Sequence, residues 1–259
     1  MSWDIARAAT ALLEAEDNRT DRGPMTDEWP GLDLDTAYAV QDETLRRRLD
    51  RGEHIVGVKL GLTSRAKQER MGVAAPLTAW LTDGMLLPAG APVPQDRLIH
   101  PRAEPEIVFV MKDRLAGPGA TAAGALAAVG SVYGGIEVID SRYRDFRFTL
   151  PDVVADNASS GRFLTGPVGV PPGTLDLALE ACLVEVDGQV ADSATGAAVQ
   201  GHPAEALALA ANELGRRGLA IEPGWIVLTG GMTDAVPVPP GSTVAVHFTH
   251  LGSLHLTGG

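Results

Sequence analysis

Residues 100–110 read His-Pro-Arg-Ala-Glu-Pro-Glu-Ile-Val-Phe-Val, and this stretch indicates the fold most directly. Its last four residues are apolar, which is typical of a buried strand. Glu104 and Glu106 stand two positions apart at the start of that strand, so their side chains point to the same face. Pro105 between them has no N–H for a sheet ladder, which predicts a strand start, an edge or a bulge there. The stretch therefore predicts a buried strand with two acids on one face.

These two acids have two interpretations. Exposed acids are the common situation, and a Glu-x-Glu pair by itself fits a solvated strand face. If the pair is buried, the carboxylates repel each other and resist desolvation unless a positive charge lies between them. Glu137 stands in a second apolar run, residues 136–139, and adds a third acid. Because all-oxygen ligation favours Mg²⁺ or Mn²⁺, the alternative to a solvated face is a divalent-cation site.

Two further segments also leave alternatives open. Residues 55–64, Ile-Val-Gly-Val-Lys-Leu-Gly-Leu-Thr-Ser, form a β-rich run in which Lys59 stands among apolar residues. A lysine in such a run is either an edge-strand residue that reaches solvent or a buried amine with a function. Residues 153–162 are mostly small or polar, which indicates either a loop that lines a pocket or a plain turn.

Size and charge limit the class of protein. The 259 residues suffice for one large domain, or for a catalytic domain with a smaller N-terminal piece. The net charge of −12 argues against binding to nucleic acid and to anionic membranes. The single cysteine excludes an intrachain disulfide, and Asp4 and Arg7 interrupt the N-terminus before an apolar signal segment can form. We therefore expect a cytoplasmic protein.

The first fifty residues predict helices. Ser2 is the expected N-cap of a helix whose apolar residues recur with a period of about 3.6. Asp35 is the expected cap of a second helix, with Tyr38, Leu45 and Leu49 on one face. A third helix is expected from Ser64 onward, ending at residue 72, a glycine.

Beyond residue 55 the pattern changes mainly to short strands separated by turns. Helices are expected at residues 121–129 and from His202, with Pro203 in its first turn, to Gly218. Strands are expected at residues 133–140, 181–186, 225–228 and 244–248, and Asp187-Gly188 indicates a hairpin. The predicted fold class is α+β, with a helical N-terminal segment at residues 1–54 and a strand-rich catalytic domain at residues 55–259.

Several separated motifs resemble the fumarylacetoacetate hydrolase superfamily, and within it the hydratase and decarboxylase branch of catechol meta-cleavage pathways. The similarity runs from about residue 35 to residue 256. The motifs that carry it are Gly-Val-Lys-Leu-Gly-Leu-Thr-Ser-Arg-Ala-Lys at 57–67, Ile-His-Pro-Arg-Ala-Glu-Pro-Glu-Ile at 99–107, Ile-Glu-Val-Ile-Asp-Ser-Arg-Tyr-Arg-Asp-Phe at 136–146, Val-Ala-Asp-Asn-Ala-Ser-Ser at 154–160 and Leu-Thr-Gly-Gly-Met-Thr at 228–233.

The resemblance implies a mixed β-roll with Mg²⁺ or Mn²⁺ held by Glu104, Glu106 and Glu137. It also implies a catalytic role for Lys59. The substrate-binding residues that it implies are Leu77, Arg142, Asn157, Thr229 and Gly230.

The activity that the resemblance implies is decarboxylation of a small 2-oxo dicarboxylate, 2-oxo-3-hexenedioate, in aromatic catabolism. Hydratases of this branch tend to have an acid directly after the proline that is Pro76 here, and this chain has Leu77. The Asp-Ser-Arg-Tyr motif at 140–143 is also more similar to the decarboxylases. The alternatives are a 2-hydroxypentadienoate hydratase, a related C–C bond hydrolase with the same metal, or a partner subunit that stabilises a hydratase. A homo-oligomer and a complex with such a hydratase are the further implied partners.

Overall fold

The acid-bearing stretch forms the middle of the larger of two sheets. The structure is a computed structural model and describes residues 2–64, 68–69 and 76–259. The strands are β1 (Ile55–Gly61), β2 (Leu77–Thr82), β3 (Arg102–Met111), β4 (Val129–Ile139), β5 (Ser160–Val170), β6 (Ala181–Val186), β7 (Gln189–Thr195), β8 (Ile226–Leu228), β9 (Val236–Pro237), β10 (Thr243–Phe248) and β11 (Ser253–Thr257).

The helices within these described ranges lie mainly at the N-terminus and beside the larger sheet. They are α1 (Ile5–Asp17), α2 (Met25–Glu28), α3 (Leu34–Asp50), α4 (Ala122–Ala127), α5 (Leu150–Ala155) and α6 (Pro203–Arg216). None of these described helices combines the length and the apolar character that a membrane span requires.

The larger sheet has seven strands and a mixed topology, as the predicted α+β roll requires. Its order is β2-β1-β8-β3-β4-β5, and β9 also pairs with β3. The β1–β8 pair is parallel, whereas β3 is antiparallel to both β4 and β8. The smaller sheet has the order β11-β10-β6-β7, and its β6–β7 hairpin turns at Asp187 and Gly188, both with positive φ. The hairpin prediction is thereby confirmed.

Strand β3 separates two environments because its side chains alternate between the faces of the sheet. Ile107 and Phe109 lie in the main hydrophobic core, together with residues of the smaller sheet and of α6. Val108, on the opposite face, belongs to a small apolar cluster with Leu228 and Phe163. Glu104 and Glu106 share the face of Val108, so the acids lie on the side of the sheet away from the main core.

Of the three alternatives predicted for Pro105, a strand start and a bulge are wrong, whereas an edge agrees locally because β3 has no strand partner on one side at this residue. Pro105 lies inside β3, opposite Ile136 of β4 in an unbroken register. The Pro105 carbonyl accepts a hydrogen bond from the Met232 N–H, which belongs to the connection between β8 and β9. The Pro105 nitrogen points to the same side, so its missing N–H faces this connection and not a strand. A proline is tolerated here because no strand on that side requires its N–H.

Two predicted helix caps are also wrong by two residues. Asp4, and not Ser2, caps α1 by accepting a hydrogen bond from the Arg7 N–H. Asp33, and not Asp35, caps α3 in the same way. Leu49 is 37 % exposed and does not share the buried face of that helix. The predicted helices at 121–129 and 202–218 are present as α4 and α6, and the one expected at 64–72 falls largely outside the described residues.

The segment at residues 153–162 contains more than a pocket loop or a plain turn, although four of its residues line a small cavity. It contains the end of α5, a tight turn at Asn157–Ser159 and the start of β5. The sequence signal was missed because α5 is only six residues long and the turn uses three consecutive non-glycine residues with positive φ. Such conformations are sparsely populated by L-residues and are not visible in residue type alone.

The N-terminal helices share a hydrophobic cluster with the strand-rich body at residues 55–259. Leu12 of α1 and Tyr38 of α3 belong to the same buried cluster as Leu77 of β2 and Val154 of α5. The Gln41 side chain also donates hydrogen bonds to the carbonyls of Thr78 and Val154. The hydrophobic packing is therefore continuous between the two predicted segments, residues 1–54 and 55–259. The boundary at residue 54 stays a prediction.

A close backbone approach between β1 and β8 places Lys59. Gly57 pairs with Ile226 in the parallel ladder, and a Cβ atom added at Gly57 would lie 1.8 Å from the Ile226 carbonyl oxygen. The glycine therefore allows β1 and β8 to approach, which brings Lys59 into register with Leu228 and hence beside β3.

We predict that Gly57→Ala destabilises the protein, because the added methyl group must separate β1 from β8. The expected loss in the free energy of unfolding is about 3 kcal/mol, the upper part of the range for overpacked interiors. Denaturant unfolding of the purified variants measures it. Gly31→Ala is the control, because an added Cβ there meets only Trp29 atoms at 3.8 Å and beyond. Equal stabilities of the two variants would contradict the proposed close approach.

Candidate metal centre

The β3–β4 register brings the three predicted acids together. Glu104 lies directly opposite Glu137, and Glu106 lies one pleat further along the same face. One carboxylate oxygen from each residue lies within 4.8 Å of the others, and all three side chains are buried. The solvated-face interpretation is therefore wrong for this chain, and the convergence that sequence alone left open is present.

The electrostatics of this cluster favour a bound cation. Burial raises the pKa of Glu106 well above its ordinary value, and the charges of Glu137 and Glu104 raise it further. Burial likewise raises the pKa of Glu137, against the opposing effect of Lys59. Glu106 Oε1 is buried and has no hydrogen-bond partner in the described part of the chain. Three buried acids with an unsatisfied oxygen are the donor set that a hard divalent cation such as Mg²⁺ prefers.

The sequence allowed Lys59 to be either an edge-strand residue that reaches solvent or a buried amine, and the structure shows a buried amine. It is 3 % exposed and lies on β1, which is flanked by β2 and β8 and is therefore not an edge strand. Its Nζ lies 3.0 Å from Oε1 of Glu137 and donates a hydrogen bond to Oε2 at 3.1 Å. The ammonium group thus offsets part of the negative charge of the acids and touches one of the three carboxylates directly.

A glycine pair after β8 forms one wall of the centre. The Gly230 N–H donates a 2.6 Å hydrogen bond to Glu106 Oε2, and the Thr229 hydroxyl donates to the Ile107 carbonyl. A Cβ at Gly231 would lie 2.1 Å from Glu104 Oε2, and one at Gly230 would lie 2.0 Å from Thr63 Oγ1. Glycine suits Gly231 because the backbone there packs against Glu104, and it suits Gly230 because the backbone there has positive φ and packs against Thr63. The structure therefore places Thr229 and Gly230 at the centre.

Leu77 and Asn157 occupy other positions. Leu77 is buried in the cluster that joins the N-terminal helices to the body. The Asn157 side chain accepts a hydrogen bond from the Trp80 N–H at 2.8 Å and donates one to the Trp80 carbonyl at 2.9 Å. These two bonds fix β2 against the turn at residues 157–159. The roles of Leu77 and Asn157 in binding substrate stay predictions, because the interactions described here are all within the protein.

Arg142 is engaged in a buried network of its own. Its guanidinium forms an ion pair with Asp156 and donates hydrogen bonds to the carbonyls of Asp140 and Ser160, at 2.6 and 3.0 Å. Burial raises the pKa of Asp156 to about 6, even though Arg142 opposes the shift. Four of the five guanidinium N–H donors of Arg142 are thus engaged, counting the bond from Nη2 to the Asp156 carbonyl, and the contacts favour a role in holding β4, β5 and the turn together. Asp156, which the sequence analysis did not single out, is the partner that decides this. The substrate role of Arg142 stays a prediction.

We predict that Mg²⁺ stabilises the protein more at higher pH. Because the pKa of Glu106 is raised in the folded protein, the metal-free form loses stability as pH rises above the ordinary glutamate pKa. A cation requires ionised carboxylates, so its effect grows over the same pH range. Thermal unfolding at about pH 6 and about pH 8, with Mg²⁺ or with a chelator, measures both trends.

Glu106→Gln should remove the Mg²⁺ effect without unfolding the protein, since it also removes a repulsive buried charge. Mg²⁺ at about 100 times its Kd is expected to stabilise the unmodified protein by about 2.7 kcal/mol. Glu180→Gln is the matched control, because Glu180 is an equally buried acid that binds the His250 and Leu251 N–H groups elsewhere. A full Mg²⁺ response in Glu106→Gln would remove this residue from the ligand set.

The sequence and the structure match known proteins over nearly their whole length. Residues 54–257 match the family described as fumarylacetoacetate (FAA) hydrolase C-terminal. The chain is 45 % identical over 250 residues to a 4-oxalocrotonate decarboxylase of Pseudomonas sp. strain CF600, covering 96 % of this chain and 95 % of the relative. It is 41 % identical over 232 residues to a 2-hydroxyhexa-2,4-dienoate hydratase of Comamonas testosteroni, covering 89 % and 88 %.

A solved structure agrees with this similarity. The 4-oxalocrotonate decarboxylase of Pseudomonas putida G7, complexed with magnesium and adipate, superposes with a TM-score of 0.95 at 42 % identity, covering 98 % of this chain and 97 % of that one. The resemblance inferred from the sequence motifs is thereby confirmed. The chain belongs to the fumarylacetoacetate hydrolase family.

Proposed function

We propose that the protein is a metal-dependent carboxy-lyase that converts 2-oxo-3-hexenedioate, also called 4-oxalocrotonate, into 2-hydroxypenta-2,4-dienoate and CO₂. The observation that carries the proposal is the buried cluster of Glu104, Glu106 and Glu137 with Lys59 against it. Both the 45 % identical relative and the 42 % identical solved structure are decarboxylases of this substrate. The fit between the acid cluster and a divalent cation supports the same reaction class.

The hydratase is the second candidate, because a 2-hydroxyhexa-2,4-dienoate hydratase is 41 % identical to the chain. Leu77 favours the decarboxylase, since the hydratases tend to have an acid at this position. The assay described below therefore compares hydratase activity with decarboxylase activity.

Each residue of the centre has a distinct part in the proposed reaction. Glu104, Glu106 and Glu137 would hold Mg²⁺ or Mn²⁺, which supplies positive charge for the 2-oxo acid end of the substrate. The Gly230 N–H fixes one Glu106 oxygen and so limits the direction in which that carboxylate can point. Lys59 holds Glu137 in place and keeps an ammonium group in a water-poor site, where its charge acts most strongly.

The reaction breaks one C–C bond and moves one proton. The bond to the distal carboxylate breaks, CO₂ leaves, and the electron pair spreads through the conjugated chain to the C2 oxygen. A proton must then reach that oxygen to give the neutral 2-hydroxy group of the product. We assign the delivery of this proton to Lys59, because its buried ammonium lies beside the acids that mark the 2-oxo end.

The assembly of the protein is part of the proposal. We infer a homo-oligomer in the cytoplasm that also associates with a 2-hydroxypentadienoate hydratase, because the product of the proposed reaction is the substrate of such an enzyme. The free cysteine, Cys182, is buried and unpaired by any disulfide, which suits a reducing compartment. Light scattering of the purified chain, alone and mixed with a hydratase, tests both associations.

A spectrophotometric assay decides between the two activities. The purified protein is supplied separately with 2-oxo-3-hexenedioate and with 2-hydroxypentadienoate, each with Mg²⁺ and with a chelator. We expect Mg²⁺-dependent CO₂ release from the first substrate and no consumption of the second. Consumption of only the second would establish the hydratase. If neither substrate is turned over in the presence of Mg²⁺, the result would favour the third alternative, a partner subunit that stabilises a hydratase.

Lys59→Met is expected to lower kcat by about a hundredfold to a thousandfold, within the range for a lost proton donor. Methionine keeps much of the volume of the side chain without its charge. Because the substitution removes a cation and leaves all three acids, affinity for Mg²⁺ should be unchanged or higher, and calorimetric titration measures it. If only Mg²⁺ affinity fell, with kcat restored at saturating Mg²⁺, the proposed proton transfer by Lys59 would be wrong.

A further inference from the structure

A second cation lies on the same face of the sheet as the acid cluster. Arg102 is the first residue of β3, two positions before Glu104, and its partner across the β3–β4 ladder is Ile139. The register is unbroken from Arg102 to Val110, so Arg102 and the acids share one face. One two-residue step along a strand is about 6.5 Å, which is comparable with the extent of an extended six-carbon diacid.

Among the cationic side chains on the strands of this sheet, Arg102 differs in having no ion-pair or hydrogen-bond partner in the described part of the chain. The strands of the larger sheet carry Lys59, Arg102 and Arg162. Lys59 is paired with Glu137, and Arg162 stands opposite Val138, on the main-core side of β4. Within residues 2–64, 68–69 and 76–259, the half-buried Arg102 forms neither an ion pair nor a hydrogen bond through its side chain. Its guanidinium therefore keeps all of its donors available.

An aromatic ring holds this guanidinium in place. Arg102 Cζ lies 4.4 Å from the centroid of the Phe146 ring, and the His100 ring lies 4.9 Å from the same ring. The contact leaves the edge of the guanidinium available, because stacking uses its flat face. His100 Nε2 is buried and has no hydrogen-bond partner among the described residues, so a second polar group near Phe146 is also unsatisfied.

Phe146, the ring that Arg102 contacts, also lines a cavity. The cavity has a volume of about 760 Å³, within the usual range for small-molecule sites. Leu62, which follows Lys59 by three residues, lines it together with Phe146 and Arg147. The cavity therefore extends from the end of β1 to the ring on which Arg102 lies.

We propose that Arg102 binds the second carboxylate of the substrate and so selects dicarboxylates over monocarboxylates. The assignment rests on the proposed function for the identity of the substrate, and it gives to Arg102 a substrate-binding role of the kind that the resemblance implied for Arg142. The free fork of Arg102 matches a carboxylate, whereas the donors of Arg142 are engaged by Asp156 and by backbone carbonyls.

This assignment has a kinetic signature. The carboxylate that Arg102 binds is the one that leaves as neutral CO₂, so its negative charge declines as the C–C bond breaks. A cation on that carboxylate stabilises the bound substrate at least as much as the transition state. Arg102 therefore lowers KM without raising kcat, and it is a specificity-determining residue.

The test compares a diacid with a monoacid of equal length. Calorimetric titration of the Mg²⁺-loaded protein with 2-oxohexanedioate and with 2-oxohexanoate measures the preference without turnover. We expect Arg102→Gln to weaken diacid binding by about tenfold to a hundredfold, and monoacid binding by less than about twofold. With 2-oxo-3-hexenedioate, KM should rise by the same factor while kcat stays within about threefold.

Arg114→Gln is the control, because Arg114 is an exposed arginine paired with Glu222 and its loss changes the net charge equally. Unchanged monoacid binding in Arg102→Gln shows that the variant is folded. A diacid preference that survives Arg102→Gln overturns the assignment even if the protein is an active decarboxylase. A preference that Arg102→Gln abolishes, in a protein that does not turn over 2-oxo-3-hexenedioate, supports the assignment and rejects the proposed reaction.

Discussion

Mutual repulsion among three buried carboxylates is the constraint on which this structure depends. Two unit charges about 4 Å apart repel by about 4 kcal/mol at an effective dielectric constant of about 20, and removing each from water costs several kcal/mol more. Glu104, Glu106 and Glu137 lie within this range of one another. Among the described residues, Lys59 and the Gly230 N–H offset part of this cost, and a divalent cation would lower it further. The fold must therefore hold the acids together against their own electrostatics.

Rigid sheet geometry on both sides of β3 provides that resistance. One face of β3 packs Ile107 and Phe109 into the main core. If the pairing of β3 with its neighbours shifted by one residue, the acids would turn toward the core and these apolar side chains would turn away from it. Gly57 allows β1 to approach β8, and Gly231 allows the backbone to lie against Glu104. On the outer side, the Arg142–Asp156 pair ties the end of β4 to the start of β5. Removing one member of such a buried pair is far more destabilising than its formation is stabilising.

The sequence predicted the chemistry of the centre better than its surroundings. Alternation and burial placed Glu104 and Glu106 on one face, because a strand has a fixed period of two. The arrival of Glu137 and Lys59 depends on pairing between strands far apart in the chain, which local pattern does not encode; the family motifs supplied it. The resemblance assigned Arg142 to the substrate, and the motif by itself does not show which group that arginine contacts. Its partner Asp156 lies fourteen residues later, directly after α5, and that contact depends on the path of the chain between them, which residue type alone does not show.

Charge balance explains why an unpaired arginine beside the centre is physically reasonable. The three acids and Lys59 together carry two negative charges when all are ionised, and a divalent cation cancels them. A dicarboxylate substrate then brings two further negative charges into a protein whose net charge is already −12. Arg102 supplies one positive charge on the correct face, and its side chain is half-buried against Phe146 and therefore partly open to solvent. Partial exposure limits the strength of that ion pair, which suits a carboxylate that must leave the site as CO₂.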